Sequence, residues 1–310
     1  MNKIVYITGC LGFIGSHLTR KCLSLGWNVI GVDKMTYASN PQVLNEFLSC
    51  HNFKFSKIDI NDLKDIIDCD YVINLAAESH VDNSICNSDD FLRSNINGVQ
   101  NLLKIIKNKK NRPIFFQTSS DETYGDIING NFSEGDKLTP SNPYAATKAA
   151  ADMLILAWNR TFGIDYVIVR PTNNYGTFQH FEKLIPKSCK CLKENTLIPL
   201  HLKGLARRTW LHVEDTASAI IRLVESGVKN QIFNISGNYE DSNINVVKKI
   251  IYHFNGENKD FEKYFDFSCE RPGQDLRYSV NDSKLKSLGW QNQKQFDIEI
   301  KNIVNFYKST

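Results

Sequence analysis

Lys3-Ile4-Val5-Tyr6-Ile7-Thr8-Gly9-Cys10-Leu11-Gly12-Phe13-Ile14-Gly15 reads as a strand, a glycine turn and the start of a helix that runs to about Leu25. The short apolar run is a buried strand. Glycines in the turn let a backbone approach a pyrophosphate, and the helix N-terminus offers amide donors and the positive end of its dipole. The spacing is GxxGxxG rather than GxGxxG. A ligand-free glycine turn would share it, but the flanking strand and helix favour a nucleotide. Gly26 ends the helix. Trp27 to Asp33 is a second strand ending in an acid. Asp33 lies roughly 20 residues past the glycines, where a carboxylate can hydrogen-bond the adenosine ribose of NAD. It would repel the extra phosphate of NADP. The alternative is that Asp33 caps the next turn.

Working outward, Phe53 to Ile60 is a third strand, with Asp59 at its end placed to meet an adenine. Tyr71 to His80 is the fourth strand and its exit, where small Ala76 and Ala77 permit close approach to a cofactor. A helix from about Phe91 to Ile106 leads to the strand Pro113 to Gln117, and Tyr166 to Arg170 follows the Tyr144 helix. Alternation of this kind specifies an α/β fold with a Rossmann-like, doubly wound parallel sheet. The pattern breaks from Pro171 to Leu211, resumes with a helix over Val213 to Gly227 and adds one more sheet strand at Gln231 to Ile235. The expected division is a dinucleotide-binding domain over 1–175, rejoined by 212–238, and a smaller substrate lobe from 176–211 and 239–310. No internal repeat or low-complexity linker interrupts it.

Thr118-Ser119-Ser120-Asp121-Glu122-Thr123-Tyr124-Gly125 leaves the carboxyl end of the fifth strand, the edge where open α/β sheets bind ligands. Adjacent carboxylates on a turning backbone point apart. In different environments one can act as acid and the other as base. A solvated loop pair or a helix N-terminal signal is the plainer alternative for Asp121-Glu122. Tyr144 and Lys148, four apart, share a helix face. An ammonium beside the phenol would lower its pKa and make it a base for an alcohol proton. An ordinary amphipathic helix could also carry such a pair. Arg208 and Arg271 are candidates to clamp a diphosphate, or else to form surface salt bridges.

Composition excludes other classes. The chain has 310 residues, 42% hydrophobic and 23% charged, and a net charge of +3, ordinary for a globular protein. No basic tract suggests nucleic acid; Lys107 to Arg112 reads as a solvated helix end. No apolar run approaches the ~20 residues of a membrane span, and the N-terminus enters directly into a strand without a signal peptide. The eight cysteines are scattered, with no metal-ligand spacing. A reducing cytoplasm is expected.

Together these motifs resemble the extended short-chain dehydrogenase/reductase family, whose hallmarks match Gly9-x-x-Gly12-x-x-Gly15 and Tyr144-x-x-x-Lys148. Within it, Leu75 to Asp82, Ser120-Asp121-Glu122-x-Tyr124-Gly125, Asn173-Asn174-Tyr175-Gly176 and Glu182 to Pro186 are similar to the nucleotide-sugar 4,6-dehydratases. So are Trp210-Leu211-x-Val213-Glu214-Asp215 and Arg271-Pro272-Gly273-x-Asp275-x-Arg277-Tyr278. Sugar epimerases of the superfamily usually lack the Asp-Glu pair.

The resemblance implies a cyclic use of tightly bound NAD. Tyr144, helped by Lys148, would take the proton of the glucose 4-hydroxyl while hydride leaves C4, with Ser120 hydrogen-bonding that oxygen. Glu122 would remove the C5 proton and Asp121 protonate the departing 6-hydroxyl. Hydride return to C6 would then give a 4-keto-6-deoxy sugar. NAD is expected against Gly9, Gly12, Phe13, Ile14 and Gly15, then Asp33, Lys34, Thr36, Asp59 and Ile60. It is also expected against Leu75, Ala76, Ala77, Ser79, Ser94, Tyr144, Lys148 and Asn174. The nucleotide sugar is expected against Ser79, Ser120, Asn173, Glu182 and Lys183, and against Pro199, His201, Arg208, Asn243 and Arg271. No metal is expected. A homodimer is implied, through helices near Phe91 to Ile106 and Tyr144 to Arg160.

Three positions depart from the dTDP-glucose enzymes. Ser120 replaces a common Thr and keeps the hydroxyl. Asn83 replaces a common Arg, and His201 stands where a Tyr usually packs on the base. Plant rhamnose-synthase dehydratase domains, which use UDP-glucose, resemble the chain at Asn83 and His201. UDP-glucose is therefore expected over dTDP-glucose, although one methyl separates the bases and discriminates by only about 1–3 kcal/mol. A 4-epimerase and a non-catalytic NAD-binding sensor are the alternative functions.

Overall fold

The computed structural model describes residues 3–256 and 260–310. In chain order the first half contains β1 (Ile4–Thr8), α1 (Phe13–Ser24), β2 (Asn28–Asp33), α2 (Gln42–Leu48), β3 (Phe53–Lys57), β4 (Tyr71–Asn74), α3 (Val81–Cys86), α4 (Asp89–Phe91), α5 (Gly98–Asn108), β5 (Ile114–Thr118) and α6 (Pro143–Phe162). The second half contains β6 (Tyr166–Pro171), β7 (Asn173–Tyr175), α7 (Leu184–Glu194), β8 (Ile198–Pro199), β9 (Arg207–His212), α8 (Val213–Ser226), β10 (Gln231–Ile235), β11 (Tyr239–Ser242), α9 (Asn243–Asn255), β12 (Phe265–Asp266), α10 (Ser283–Lys286) and α11 (Phe296–Ser309).

Seven strands form one parallel sheet in the order β10-β6-β5-β4-β1-β2-β3. This is the doubly wound sheet expected from the alternation. Strand periodicity decides which helices cover which face. Val5 and Ile7 of β1 join Leu18 of α1, Phe47 of α2 and Ile220 of α8 in one core, while Tyr6 between them joins Val99 of α5 and Ile155 of α6 in another. Each such side chain contributes about 1.5–3 kcal/mol on full burial. The strand order reverses beside β1, which opens a crevice at the carboxyl ends of β1 and β4. Under that crevice Thr8 Oγ1 donates to Asn74 Oδ1 (2.5 Å), and Asn74 Nδ2 donates to Gln117 Oε1 (2.8 Å). A buried polar ladder across three strands is thereby satisfied.

The third strand stops at Lys57, so Asp59 and Ile60 lie in the turn beyond it. The helix expected from Phe91 to Ile106 is α4 and α5 joined by a π-helical stretch, Leu92–Asn97. Its buried Asn95 donates from Nδ2 to the Glu78 carbonyl (3.0 Å) and to Thr147 Oγ1 (2.9 Å), and accepts from the Glu78 amide (2.9 Å). Such π insertions often mark functional sites.

The segment with weak periodicity holds β7 and most of β9, which join β11 from further along the chain in a second sheet, β11-β9-β7. Its strands are short, and their partners are far apart in sequence, so alternation does not reveal them. This sheet leads into a third core, where Tyr175, Trp210 and Phe296 meet α7, α9 and α11. Phe296 stacks on Tyr239 at 4.2 Å between ring centroids. Among the described residues no helix is long and apolar enough to cross a membrane.

Candidate active site

The glycine turn delivers α1 to the crevice. Its N-cap, Gly12, makes no side-chain hydrogen bond to the helix amides, and the first turn holds no acid, which leaves the end suited to an anion. A Cβ on Gly15 would overlap the Gly9 carbonyl, and Gly9 itself adopts φ +69°. Both positions therefore exclude side chains.

One groove begins there, against Gly9, Gly12, Phe13, Ile14 and Gly15. It passes Asp33, Lys34, Thr36, Asp59, Ile60 and Ser94, then crosses Leu75, Ala76, Ala77 and Ser79. It ends at Ser120, Asp121, Glu122, Tyr144 and Lys148, with Asn173, Asn174, Glu182 and Lys183 on the remaining wall. Length, small residues and an anion-binding helix end fit a dinucleotide. Asp33 also serves as a turn cap, accepting from the Leu11 amide (3.0 Å), the Met35 amide (2.7 Å) and Ser39 Oγ (3.0 Å). Lys34 donates to Ser94 Oγ (3.2 Å) and pairs with Glu78 at 3.4 Å.

The two carboxylates differ. Both lie in a single 3-10 turn, Asp121–Tyr124, capped by Ser120. Asp121 is buried, and its Oδ2 has no partner among the described residues. Burial first, then the neighbouring Glu122, pushes its carboxyl up to about 8, against the pull of Arg208. Asp121 is therefore protonated at neutral pH. Glu122 is partly exposed and accepts from Asn142 Nδ2 at 3.2 Å.

α6 positions the remaining groups. Asn142 Oδ1 caps it at the Ala145 amide (2.9 Å), Pro143 follows, and Gly163 ends it. Tyr144 and Lys148 are both buried on its inner side. The expected lowering of the Tyr144 phenol is not what the structure contains. Burial raises it, the Glu122 charge adds to this, and the Ser120 hydroxyl only opposes. The Lys148 ammonium instead donates to the Thr118 carbonyl (2.5 Å), and burial brings it down to about 8.

Behind Lys148 lies a network that the motifs did not indicate. Asp152 Oδ2 accepts from Arg170 Nε (2.9 Å) and Ser119 Oγ (3.0 Å). Arg170 Nη1 donates to the Tyr124 hydroxyl (2.8 Å), which donates to Asn234 Oδ1 (2.8 Å). Asp152 one helical turn after Lys148 was the available signal. Gln179 and His180 also line the groove without having been singled out.

The candidates for a diphosphate or base lie elsewhere in the lobe, outside the groove wall. Pro199 pairs with Asp266 through β8 and β12, and His201 Nδ1 sits 3.3 Å from the Cys269 carbonyl. Asn243 begins α9 with its Oδ1 unpartnered among the described residues. Arg208 is buried over the Tyr278 ring at 4.2 Å and donates to the carbonyls of Arg207, Asp275 and Leu276. It is neither a surface ion pair nor a free clamp. Arg271 is paired in bidentate fashion with Asp82 (2.5 and 2.9 Å). Among the described residues no cluster of His, Cys, Asp and Glu could hold a metal ion, and all eight cysteines are free thiols.

Residues 6–303 match the family described as GDP-mannose 4,6 dehydratase. The chain is 38% identical to a probable dTDP-glucose 4,6-dehydratase of Sinorhizobium fredii, covering 98% of this chain and 92% of that protein. It is also 38% identical to the dTDP-glucose 4,6-dehydratase of Haemophilus influenzae, over 98% and 97%. The dTDP-glucose 4,6-dehydratase of Streptomyces venezuelae, solved with NAD bound, superposes with a TM-score of 0.93 at 32% identity, over 99% of this chain and 97% of that one. These relatives carry dTDP-glucose in their names, against the UDP-glucose expected from Asn83 and His201.

Proposed function

Because the chain belongs to the GDP-mannose 4,6 dehydratase family, we propose that it dehydrates a nucleotide-diphosphate glucose, dTDP-glucose in the first place, to the 4-keto-6-deoxy sugar. NAD in the groove supplies the acceptor for the C4 hydride and gives it back at C6. The single observation carrying this reading is Asp121 beside Glu122: a carboxyl held neutral by burial, next to one that reaches solvent. Loss of water across C5 and C6 needs such an acid and such a base. Glu122 takes the C5 proton, Asp121 gives its proton to the 6-hydroxyl as it leaves as water, and Glu122 returns its proton to C5 when hydride reaches C6. Tyr144 enters as its phenolate and accepts the proton of the 4-hydroxyl as the ketone forms; the ketone stays in the product, so this proton passes on to solvent while Asp121 regains one for the next turnover. Ser120 holds that oxygen in place. The Lys148 ammonium favours that phenolate against the burial that raises the phenol.

The names of the relatives support dTDP-glucose. The same reading includes a homodimer, supported by Leu92 and Met153, which are exposed on the two helices expected at the interface. Turnover of dTDP-glucose and UDP-glucose side by side tests the proposal. A keto product with higher kcat/KM for dTDP-glucose is expected. A UDP-glucose preference would hand base choice back to His201 and Asn83. Conversion of UDP-glucose to UDP-galactose would replace the dehydratase with a 4-epimerase, and NAD binding without turnover on either sugar would leave a sensor.

A further inference from the structure

Three segments of the chain border the same nucleotide groove. The first is the loop after β2, whose Thr36 and Ala38 line the groove. The second is the β4 exit leading into α3, which carries Ser79, His80 and Asn83. The third is the stretch before α7, with His180, Glu182 and Lys183 on the groove wall. Their side chains are joined. The Tyr37 hydroxyl donates to Glu182 Oε2 (3.1 Å) and accepts from Asn83 Nδ2 (3.1 Å). The Tyr37 ring stands edge-on to the His180 ring at 5.2 Å. Lys183 Nζ donates to the Ser79 carbonyl (2.8 Å) and lies 3.4 Å from Glu182 Oε1. The Glu182 carboxylate is itself only 9% exposed, with His180 at 3.5 Å and His80 at 3.9 Å.

Tyr37 is 53% exposed, so the core does not account for its placement. Its polar atom serves both neighbours at once, and the loop it belongs to forms groove wall on either side of it. Asn83 takes part as a short donor through its Nδ2. An Arg at this position would also donate, but through a longer, charged arm.

We propose that Tyr37, Asn83 and Glu182 form a side-chain bridge over the nucleotide groove, and that this bridge sets how slowly the dinucleotide leaves. The inference rests on the proposed function, in which the cofactor is regenerated at each turnover and gains nothing from exchange. It gives Asn83 a task on the cofactor side of the site, in place of base choice. A groove strapped from three segments must lose these contacts before a bound dinucleotide can pass, so the bridge acts on dissociation.

The test is exchange of bound NAD for labelled NAD in the full-length protein, comparing wild type with Tyr37→Phe, Asn83→Ala and the double variant. Exchange about ten-fold faster in Tyr37→Phe is expected from the loss of two hydrogen bonds. Asn83→Ala should accelerate exchange by a smaller factor. Adding Asn83→Ala to Tyr37→Phe should then change nothing, because the amide has lost its acceptor. Circular dichroism shows whether the fold is kept. Exchange at the wild-type rate in Tyr37→Phe overturns the bridge, and so do multiplicative effects in the double variant. A wild-type chain that holds no NAD would overturn the proposed function itself, and the bridge with it.

Discussion

Asp121 and Glu122 are adjacent in the chain, yet Asp121 is sealed from solvent with one oxygen unpartnered while Glu122 reaches out to Asn142. The turn that holds them gives the two carboxyls different surroundings, which is what the proposed acid and base need.

With its carboxyl near 8, Asp121 should lose its proton as pH rises through that value. Activity of the wild type should therefore fall on the alkaline side. Asp121→Asn should slow dehydration about 10²–10⁴-fold while leaving C4 oxidation faster than water loss. Stopped-flow absorbance should then show reduced NAD building up after substrate is added. If no reduced NAD forms, the acid is needed earlier than proposed.

The same shift appears in stability. Folded Asp121 binds its proton more tightly than the unfolded chain, whose aspartates titrate near ~4. Its contribution favours the fold at low pH and is lost as pH climbs to about 8. Between these values the denaturation midpoint of Asp121→Asn should fall less with pH than that of the wild type. Lys148 works the other way and at higher pH: its folded value of about 8 lies below the ordinary lysine value, so its burial costs least once the amine is neutral.

Arg170→Met should destabilise the protein by about 3–5 kcal/mol, since it strands a buried carboxylate. Arg170 and Asp152 are 1% and 0% exposed. Replacing both, with Asp152→Leu, should recover much of the loss. Urea unfolding measures each, and a double variant no better than the single would show that the pair is not the cause.

Arg271 and Asp82 neutralise each other across the two halves of the molecule. Arg271→Ala should raise KM for the nucleotide sugar about ten-fold or more, as expected for charge-assisted bonds to a diphosphate. Asp82→Ala should release the guanidinium and tighten binding of the nucleotide diphosphate. Calorimetric titration distinguishes the two effects, and equal weakening by both would assign the pair a purely structural task.

How much was legible depended on whether neighbours in sequence were neighbours in space. Val5, Ile7 and Gly9 lie in one strand and its turn, and the pattern of that stretch led directly to sheet and groove. Tyr144 and Lys148 share a helix face, so their spacing carried over, but their pKa did not. Burial of the phenol and the carbonyl of Thr118 came from other elements. β7, β9 and β11 escaped notice because each is short and finds its partner far along the chain. Arg208 and Arg271 were recognisable as site candidates, whereas Tyr278 and Asp82 as their partners were not.

The strand order has a consequence for the growing chain. β10, which pairs with β6 at one edge of the main sheet, is encoded after the first pass through the smaller lobe. During synthesis β6 must wait with an open edge, exposed to wrong pairing, until residues 231–235 leave the ribosome. α11 belongs to the third core and follows every strand in the chain. The nucleotide groove can thus begin to form on the nascent chain before the third core has all of its helices.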